Sequence, residues 1–249
     1  MGSEADGKSR ALCVEGLANC RDLGGLRRVD GSLTPYGVFF RSENVDGVTE
    51  AGWERVRTAG IRTVVDLRQP GEREQDTAGR PQWLTTVAVD LDGLENEWFW
   101  KDYRPNGLVG TALYYLPHLR AMPDRTGAAL AAIVNAPAGG VLFHCMGGRD
   151  RTGMIAMLLL AAAATHPEEI VADYLETVRL GEKRATLAAK QNLEPELDEL
   201  CRTHGTTTEG AFRAALEGLD LDATLTATGL SPQDLAALRG WRGHITSPS

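Results

Sequence analysis

His144-Cys145-Met146-Gly147-Gly148-Arg149-Asp150-Arg151-Thr152-Gly153 sets a cysteine and an arginine six positions apart across a glycine-rich turn. Val141-Leu142-Phe143 ahead of it reads as a buried strand, and the apolar run from Met154 to Ala164 behind it reads as a buried helix. A loop between a strand end and a helix start can gather successive backbone N–H groups into a concave, partly positive nest. The helix adds the unpaired N–H groups of its first turn and the positive end of its dipole. Gly147 and Gly148 give the turn its backbone freedom. Met146, Gly147, Gly148, Arg149, Asp150 and Arg151 are therefore the expected cradle of a phosphate dianion, with the planar fork of Arg151 holding two of its oxygens.

The same field acts on Cys145. A free cysteine titrates near pKa ~8.5 and falls by several units at a helix N-terminus beside a cation, so Cys145 is the expected thiolate nucleophile. His144 is expected to hydrogen-bond nearby backbone and fix the loop, and the Thr152 hydroxyl to reach back to the sulfur. Asp150 is placed to carry the proton that a departing oxygen needs. Asp66, at the end of its own predicted strand, competes for that role, with Asp90 and Asp92 behind it.

The 249 residues suffice for one large α/β domain, and the composition, 43% hydrophobic and 24% charged, is that of a soluble globular chain. A net charge of −8 disfavours nucleic acid as the main partner, since duplex binding needs a basic face. Cys13, Cys20, Cys145 and Cys201 are too few and too scattered for a disulfide framework, which fits a reducing, cytoplasmic compartment. No metal-ligand spacing is present, and neither metal nor cofactor is expected. Residues 1–10 read as a polar tail without a signal peptide's apolar core. Gly153 to Ala164, twelve residues, is too short for a membrane span.

Val38–Ser42, Thr63–Arg68, Thr86–Val89 and Val141–His144 read as strands, with helices over Thr49–Ala59 and Asp124–Asn135 between them. Strands alternating with helices predict a mostly parallel central sheet flanked by helices, with ligands beyond the carboxyl ends of the strands. Residues 92–120 carry Trp98-Phe99-Trp100, Tyr103 and Tyr114-Tyr115. These rings either pack a helix pair onto the core or line a lid over the anion site. Glu168–Leu180 and Glu182–Asn192 are amphipathic and Gly229-Leu230-Ser231-Pro232 is a good N-cap into Pro232–Arg239, so the C-terminal part is expected to be mostly helical. The domain is expected to span 11–245, with 246–249 a tail.

The loop resembles that of the bacterial tyrosine phosphatases related to the secreted mycobacterial tyrosine and lipid phosphatase, which read His-Cys-x-x-Gly-Lys-Asp-Arg followed by Thr or Ala. The likeness extends to Asn19–Gly25, Val38–Ser42, Gly60–Arg68 and the terminal Leu230–Leu238 pattern, nearly the full chain. It implies a tyrosine-phosphatase-like fold of the dual-specificity type, with nucleophile, phosphate-gripping arginine and loop aspartate on Cys145, Arg151 and Asp150. The implied substrate is a phosphorylated protein or a small phosphate ester, including phosphoinositides, with inorganic phosphate as product. Two positions depart from the pattern. Arg149 replaces the family lysine linked with phosphoinositide acceptance, and Cys20 replaces the usual Phe.

Three rival readings share the loop. A rhodanese-like sulfurtransferase also uses a cysteine on an anion loop, but Thr152-Gly153 and the full-length likeness argue against it. A phosphate-binding module without chemistry would not need every reactive side chain in place. An ATP-binding loop would carry a lysine before Thr152.

Overall fold

The central strands follow a two-residue alternation that sends side chains to opposite faces of one sheet. Phe39, Val65, Val141 and Phe143 enter one core, and Phe40, Val64 and Leu142 enter another on the far side. Both faces are covered, as near-continuous apolar strands require. The computed structural model describes residues 9–74, 76 and 78–245. Of the expected tails, 1–8 and 246–249 lie outside the described residues, while Arg10 is tied to Asp173 and to the Asp22 carbonyl.

The sheet has five strands: β1 (Arg21–Asp22), β2 (Phe39–Ser42), β3 (Ile61–Asp66), β4 (Thr85–Ala88) and β5 (Gly140–His144). Their order is β1-β2-β5-β3-β4, with only β1 antiparallel. Ser42, Asp66 and His144 stand level at the carboxyl edge. The loop after His144 therefore leaves the middle of the sheet with a strand end on either side.

The helices are α1 (Glu50–Thr58), α2 (Pro70–Arg73), α3 (Glu97–Tyr103), α4 (Tyr115–Ala121), α5 (Pro123–Val134), α6 (Arg151–Ala162), α7 (Pro167–Arg179), α8 (Gly181–Leu187), α9 (Glu194–Thr203), α10 (Thr208–Glu217), α11 (Leu221–Ala227) and α12 (Pro232–Arg239). A 3-10 turn (Ala112–Tyr114) leads into α4. Thr49 caps α1 through the Gly52 N–H, and Ser231 forms a capping box into α12. α6 is buried from Thr152 to Leu160 and is the hub of the larger core. The smaller core lies under α1 and the chain from Leu12 to Cys20.

The four strands read from sequence are present, shifted by a residue or two. Helix α6 starts three residues before the expected Met154, because Arg151 and Thr152 already take helical geometry. The helix expected over Glu182–Asn192 stops at Leu187, where Ala189 turns to φ +50° and the Lys190 N–H closes on the Ala185 carbonyl. Strand β1 was not expected, since two residues carry no periodic signal.

Trp241 closes the larger core, its ring edge-on to Phe39 at 4.6 Å and its indole N–H donating to the Pro35 carbonyl at 3.0 Å. Trp241→Ala is expected to cost about 3–5 kcal/mol, read as a lower urea midpoint with an unchanged slope.

Candidate active site

The carbonyls of the loop after β5 are all taken from outside. Cys145 O faces His144 Nδ1 at 3.0 Å, Met146 O accepts from the Asn44 N–H at 2.9 Å, and Gly147 O from Arg184 at 3.0 Å. Gly148 O accepts from Arg41 at 2.8 Å and Arg149 O from the Tyr115 hydroxyl at 3.2 Å. Among the described residues, no N–H from Met146 to Arg151 donates to a protein acceptor. With the carbonyls turned out, the amides are left for an anion, the arrangement of a nest continued into a helix N-terminus.

Gly148 makes the turn possible. It sits at φ +65°, and a Cβ there would lie 2.4 Å from the Ser42 carbonyl oxygen. Gly147 has no such need, and a Cβ on it meets only the end of Arg184 at 3.3 Å.

Cys145 is 2% exposed and accepts the Thr152 hydroxyl at 3.2 Å. His144 is held neutral by burial, and its Nδ1 lies against the Cys145 carbonyl, which requires the proton on Nδ1. Arg151 donates to Glu72 at 2.5 and 2.8 Å and to Asp92 at 2.9 Å. Against the opposing effect of burial, Glu72, Cys145 and Asp92 keep its guanidinium protonated far above the ordinary range.

Beside Arg151 opens a cleft of about 130 Å³, lined by Arg151, Asp150, Asp92, Glu72, Trp100 and Tyr114 among others. Cys145 is not part of its lining. Asp92 faces Arg151, and burial, reinforced by the charges of Glu72 and Asp90, pushes its carboxyl up to about 6 in spite of Arg151. The Trp100 indole N–H donates to the Asp92 and Gly93 carbonyls, and His118 holds the Leu91 carbonyl at 3.0 Å. The aromatic segment packs on the core, the first of the two roles considered from sequence, and also borders the cleft. Phe99, Trp100, Tyr114 and Tyr115 are core, while Trp100 and Tyr114 also wall the cleft, and Trp98 is 71% exposed.

Two sequence candidates point elsewhere. Asp66 is clamped by Arg68 at 2.7–3.0 Å and kept below the usual carboxylate range despite burial, so it is a poor proton donor. The Arg149 side chain runs into the interior, pairing with Glu194 at 2.8 Å and lying over the Tyr174 ring. Only its amide faces the cradle. Cys20 lies in the smaller core, on the opposite face from Cys145, and burial raises its thiol far above the ordinary range.

Sequence reasoning missed Glu72, Arg41, Asp173 and Arg184. Arg41 reaches the Gly148 carbonyl only because Asp173 holds its other nitrogen at 2.7 Å, and Asp173 also holds Arg21 at 2.9 Å. An arginine inside the apolar run Phe39–Ser42 and an aspartate on the buried stripe of α7 were the available signals, since neither is buried without a partner.

A mostly parallel α/β sheet with a strand, glycine loop and central helix carrying cysteine and arginine is consistent with a tyrosine-phosphatase-like fold. Residues 12–241 match the model of the tyrosine phosphatase family, and the chain belongs to that family. A Cupriavidus necator protein provisionally named a tyrosine-protein phosphatase is 35% identical over 172 residues, 67% of this chain and 62% of that protein. The chain thus aligns with less than two thirds of that relative's length. A tyrosine-protein phosphatase of Nostoc commune is 29% identical over 221 residues, 82% of this chain and 74% of the relative. The triple specificity protein phosphatase PtpB of Mycobacterium tuberculosis is 32% identical over 191 residues, 66% and 68% of the two chains.

Gly148→Ala is expected to abolish oxyanion binding, measured calorimetrically with phosphate, while Gly147→Ala retains it. Burial works against the ionised form of Asp173, but its arginines hold it far below the usual carboxylate range. Its stabilisation is therefore complete well above the unfolded value of ~3.9 and is lost progressively as pH falls below about 5 towards the depressed folded value. Asp173→Asn should cost about 3–5 kcal/mol near neutrality, with the difference from wild type shrinking in acid, as followed by denaturant midpoints from pH 7 to 3.

Proposed function

We propose that the chain is a cysteine-dependent phosphatase hydrolysing phosphate monoesters through a phosphocysteine intermediate, with phosphotyrosine the preferred substrate and dual specificity for other phosphorylated side chains. The observation that carries this reading is the outward turn of five consecutive loop carbonyls, which leaves the amides of 146–151 and the Arg151 fork for one oxyanion beside Cys145.

In the first step Cys145 Sγ attacks phosphorus in line and the P–O ester bond breaks. The departing oxygen takes a proton from Asp150. The loop amides and Arg151 hold the three equatorial oxygens, where charge is spread in the transition state. In the second step water attacks the phosphocysteine, Asp150 as carboxylate takes its proton, and the S–P bond breaks to return phosphate and the sulfur anion. The Thr152 hydroxyl, 3.2 Å from Sγ, stabilises that leaving sulfur. Asp92 across the cleft is the competing donor.

The substrate preference rests on the cleft. Its volume of about 130 Å³ compares with engineered cavities of about 150 Å³ that take benzene. Trp100, Tyr114, Leu94 and Val109 offer a ring-sized apolar wall. The inward course of Arg149 leaves no lysine-like arm for a second phosphate of a phosphoinositide. We take 11–245 as one phosphatase unit, with about 92–120 as a lid insertion. A reducing, cytoplasmic setting is part of the reading, supported by four unpaired cysteines. Among the described residues no helix is long and apolar enough to cross a membrane.

The protein should release p-nitrophenol from p-nitrophenyl phosphate, and Cys145→Ser should abolish it without thiosulfate-to-cyanide transfer appearing in either form. Asp150→Asn should slow phenyl phosphate, a poor leaving group, by about 10²–10⁴ and p-nitrophenyl phosphate much less. If Asp92→Asn shows that selective loss instead, the donor is Asp92. Phosphate release from phosphotyrosine, phosphoserine and phosphothreonine peptides, phosphoinositide and a sugar phosphate ranks the substrates, and a preference for any other over phosphotyrosine overturns the substrate assignment.

A further inference from the structure

Trp100 and Arg104 stand four residues apart at the end of α3, which sets them on one helix face about one turn, ~5.4 Å, along the axis. Both line the cleft beside Arg151, together with Leu94, Val109 and Tyr114. The two arginines of that cleft differ in what they hold. Arg151 is bonded to Glu72 and Asp92. Arg104 is exposed, and its guanidinium makes no hydrogen bond and no ion pair among the described residues. The acidic groups nearby are taken by others, since Arg125 pairs with both Asp90 and Glu95. The backbone that carries Arg104 is nevertheless fixed: the Trp100 indole N–H donates to the Asp92 and Gly93 carbonyls, and the rings of Phe99 and Tyr103 stack at 4.5 Å. A cation with all its donors to spare is thus mounted on a rigid helix over the cleft.

We propose that Arg104 is a specificity-determining residue that forms a second anion subsite at the mouth of the cleft, taking the carboxylate of an acidic residue next to phosphotyrosine in a protein substrate. The proposal rests on the reading of this site as a phosphotyrosine phosphatase. The phosphate lies on the loop and Arg151, the aromatic ring lies against Trp100, Tyr114, Leu94 and Val109, and the flanking carboxylate reaches Arg104 one helical turn further out. The apolar walls between the two arginines favour a peptide over a phosphoinositide, whose inositol hydroxyls would be set against them without partners. A basic neighbour is not called for by the acidic lining, because Glu72 and Asp92 already face Arg151, while Arg104 would repel it. The rival view makes Arg104 a counter-charge to Asp92, whose carboxyl is raised by burial and pulled back by Arg151 and, more weakly, by Arg104. That role would act on every substrate alike.

The test is kcat/KM for three phosphotyrosine peptides that differ only in having Glu, Gln or Lys on either side of the phosphotyrosine, with wild type, Arg104→Gln and Arg104→Glu. Wild type should favour the Glu peptide over the Gln peptide about two- to fivefold, the size of a solvent-facing ion pair. The preference should vanish in Arg104→Gln, and Arg104→Glu should favour the Lys peptide. Each ratio is taken within one protein, so a general change of activity through Asp92 cancels. In wild type alone the preference should fade as salt is raised to about 1 M, where the screening length is about 3 Å, a readout that needs no variant to fold. The same ratio in all three proteins, a wild-type preference for the Lys peptide, a ratio indifferent to salt, or an Arg104→Gln loss confined to a phosphoinositide headgroup overturns the proposal. A wild type that cleaves none of the peptides would instead refute the phosphotyrosine reading itself.

Discussion

The proposed anion cradle depends on a buried cluster that lies behind the loop rather than in it. Asp173 on α7 gathers Arg10, Arg21 and Arg41, three cations against one anion, and Arg41 donates from its other terminal nitrogen to the Gly148 carbonyl. Burying such charges is costly unless each is paired and fully hydrogen-bonded. Asn19 and Thr177 complete the set around Arg21. The cost is offset by two effects on the loop. The Gly148 carbonyl is drawn backwards, which turns its neighbouring amides forwards. A surplus of positive charge also sits behind the amides in a poorly screened interior, in a chain whose net charge is −8.

On the solvent side the logic is inverted. Glu72, Asp92 and Asp150 crowd around Arg151, two of them directly bonded to it. Acidic groups at a phosphate site look self-defeating until the donors are counted. The carboxylates use the end and one flank of the guanidinium and leave its other flank, and the protonation range of Asp92 suits it to a site where charge comes and goes. Trp100 and His118 fix the backbone beneath Asp92, so the aromatic helix α3 serves electrostatics as much as packing.

What the sequence revealed divides along contact range. Cys145, Thr152 and Arg151 are close in the chain, and the strand, turn and helix that place them each carry a periodic signal, so their grouping was legible. Glu72, Asp92, Arg41, Asp173 and Arg184 arrive from separate elements, and no local pattern announces that they converge. Arg41 and Asp173 did leave a trace as charges on otherwise apolar faces. Glu72 left only the Gln69-Pro70-Gly71-Glu72 capping pattern, which reports a helix start and nothing about a distant arginine. Arg149 misled in the opposite way: adjacency in the loop suggested that its side chain faces the ligand, while the helical turn at Asp150 sends it to Glu194 and Tyr174.

Trp241 packs on Phe39, and Phe39 begins the strand whose Arg41 braces the loop. The last turn of the domain therefore completes the support of a site laid down from β2 onwards. During synthesis that strand gains this neighbour only after Trp241 has left the ribosome. The backing of Arg41, and through it of the loop that carries Cys145, therefore waits for a segment made well after β5 and α6.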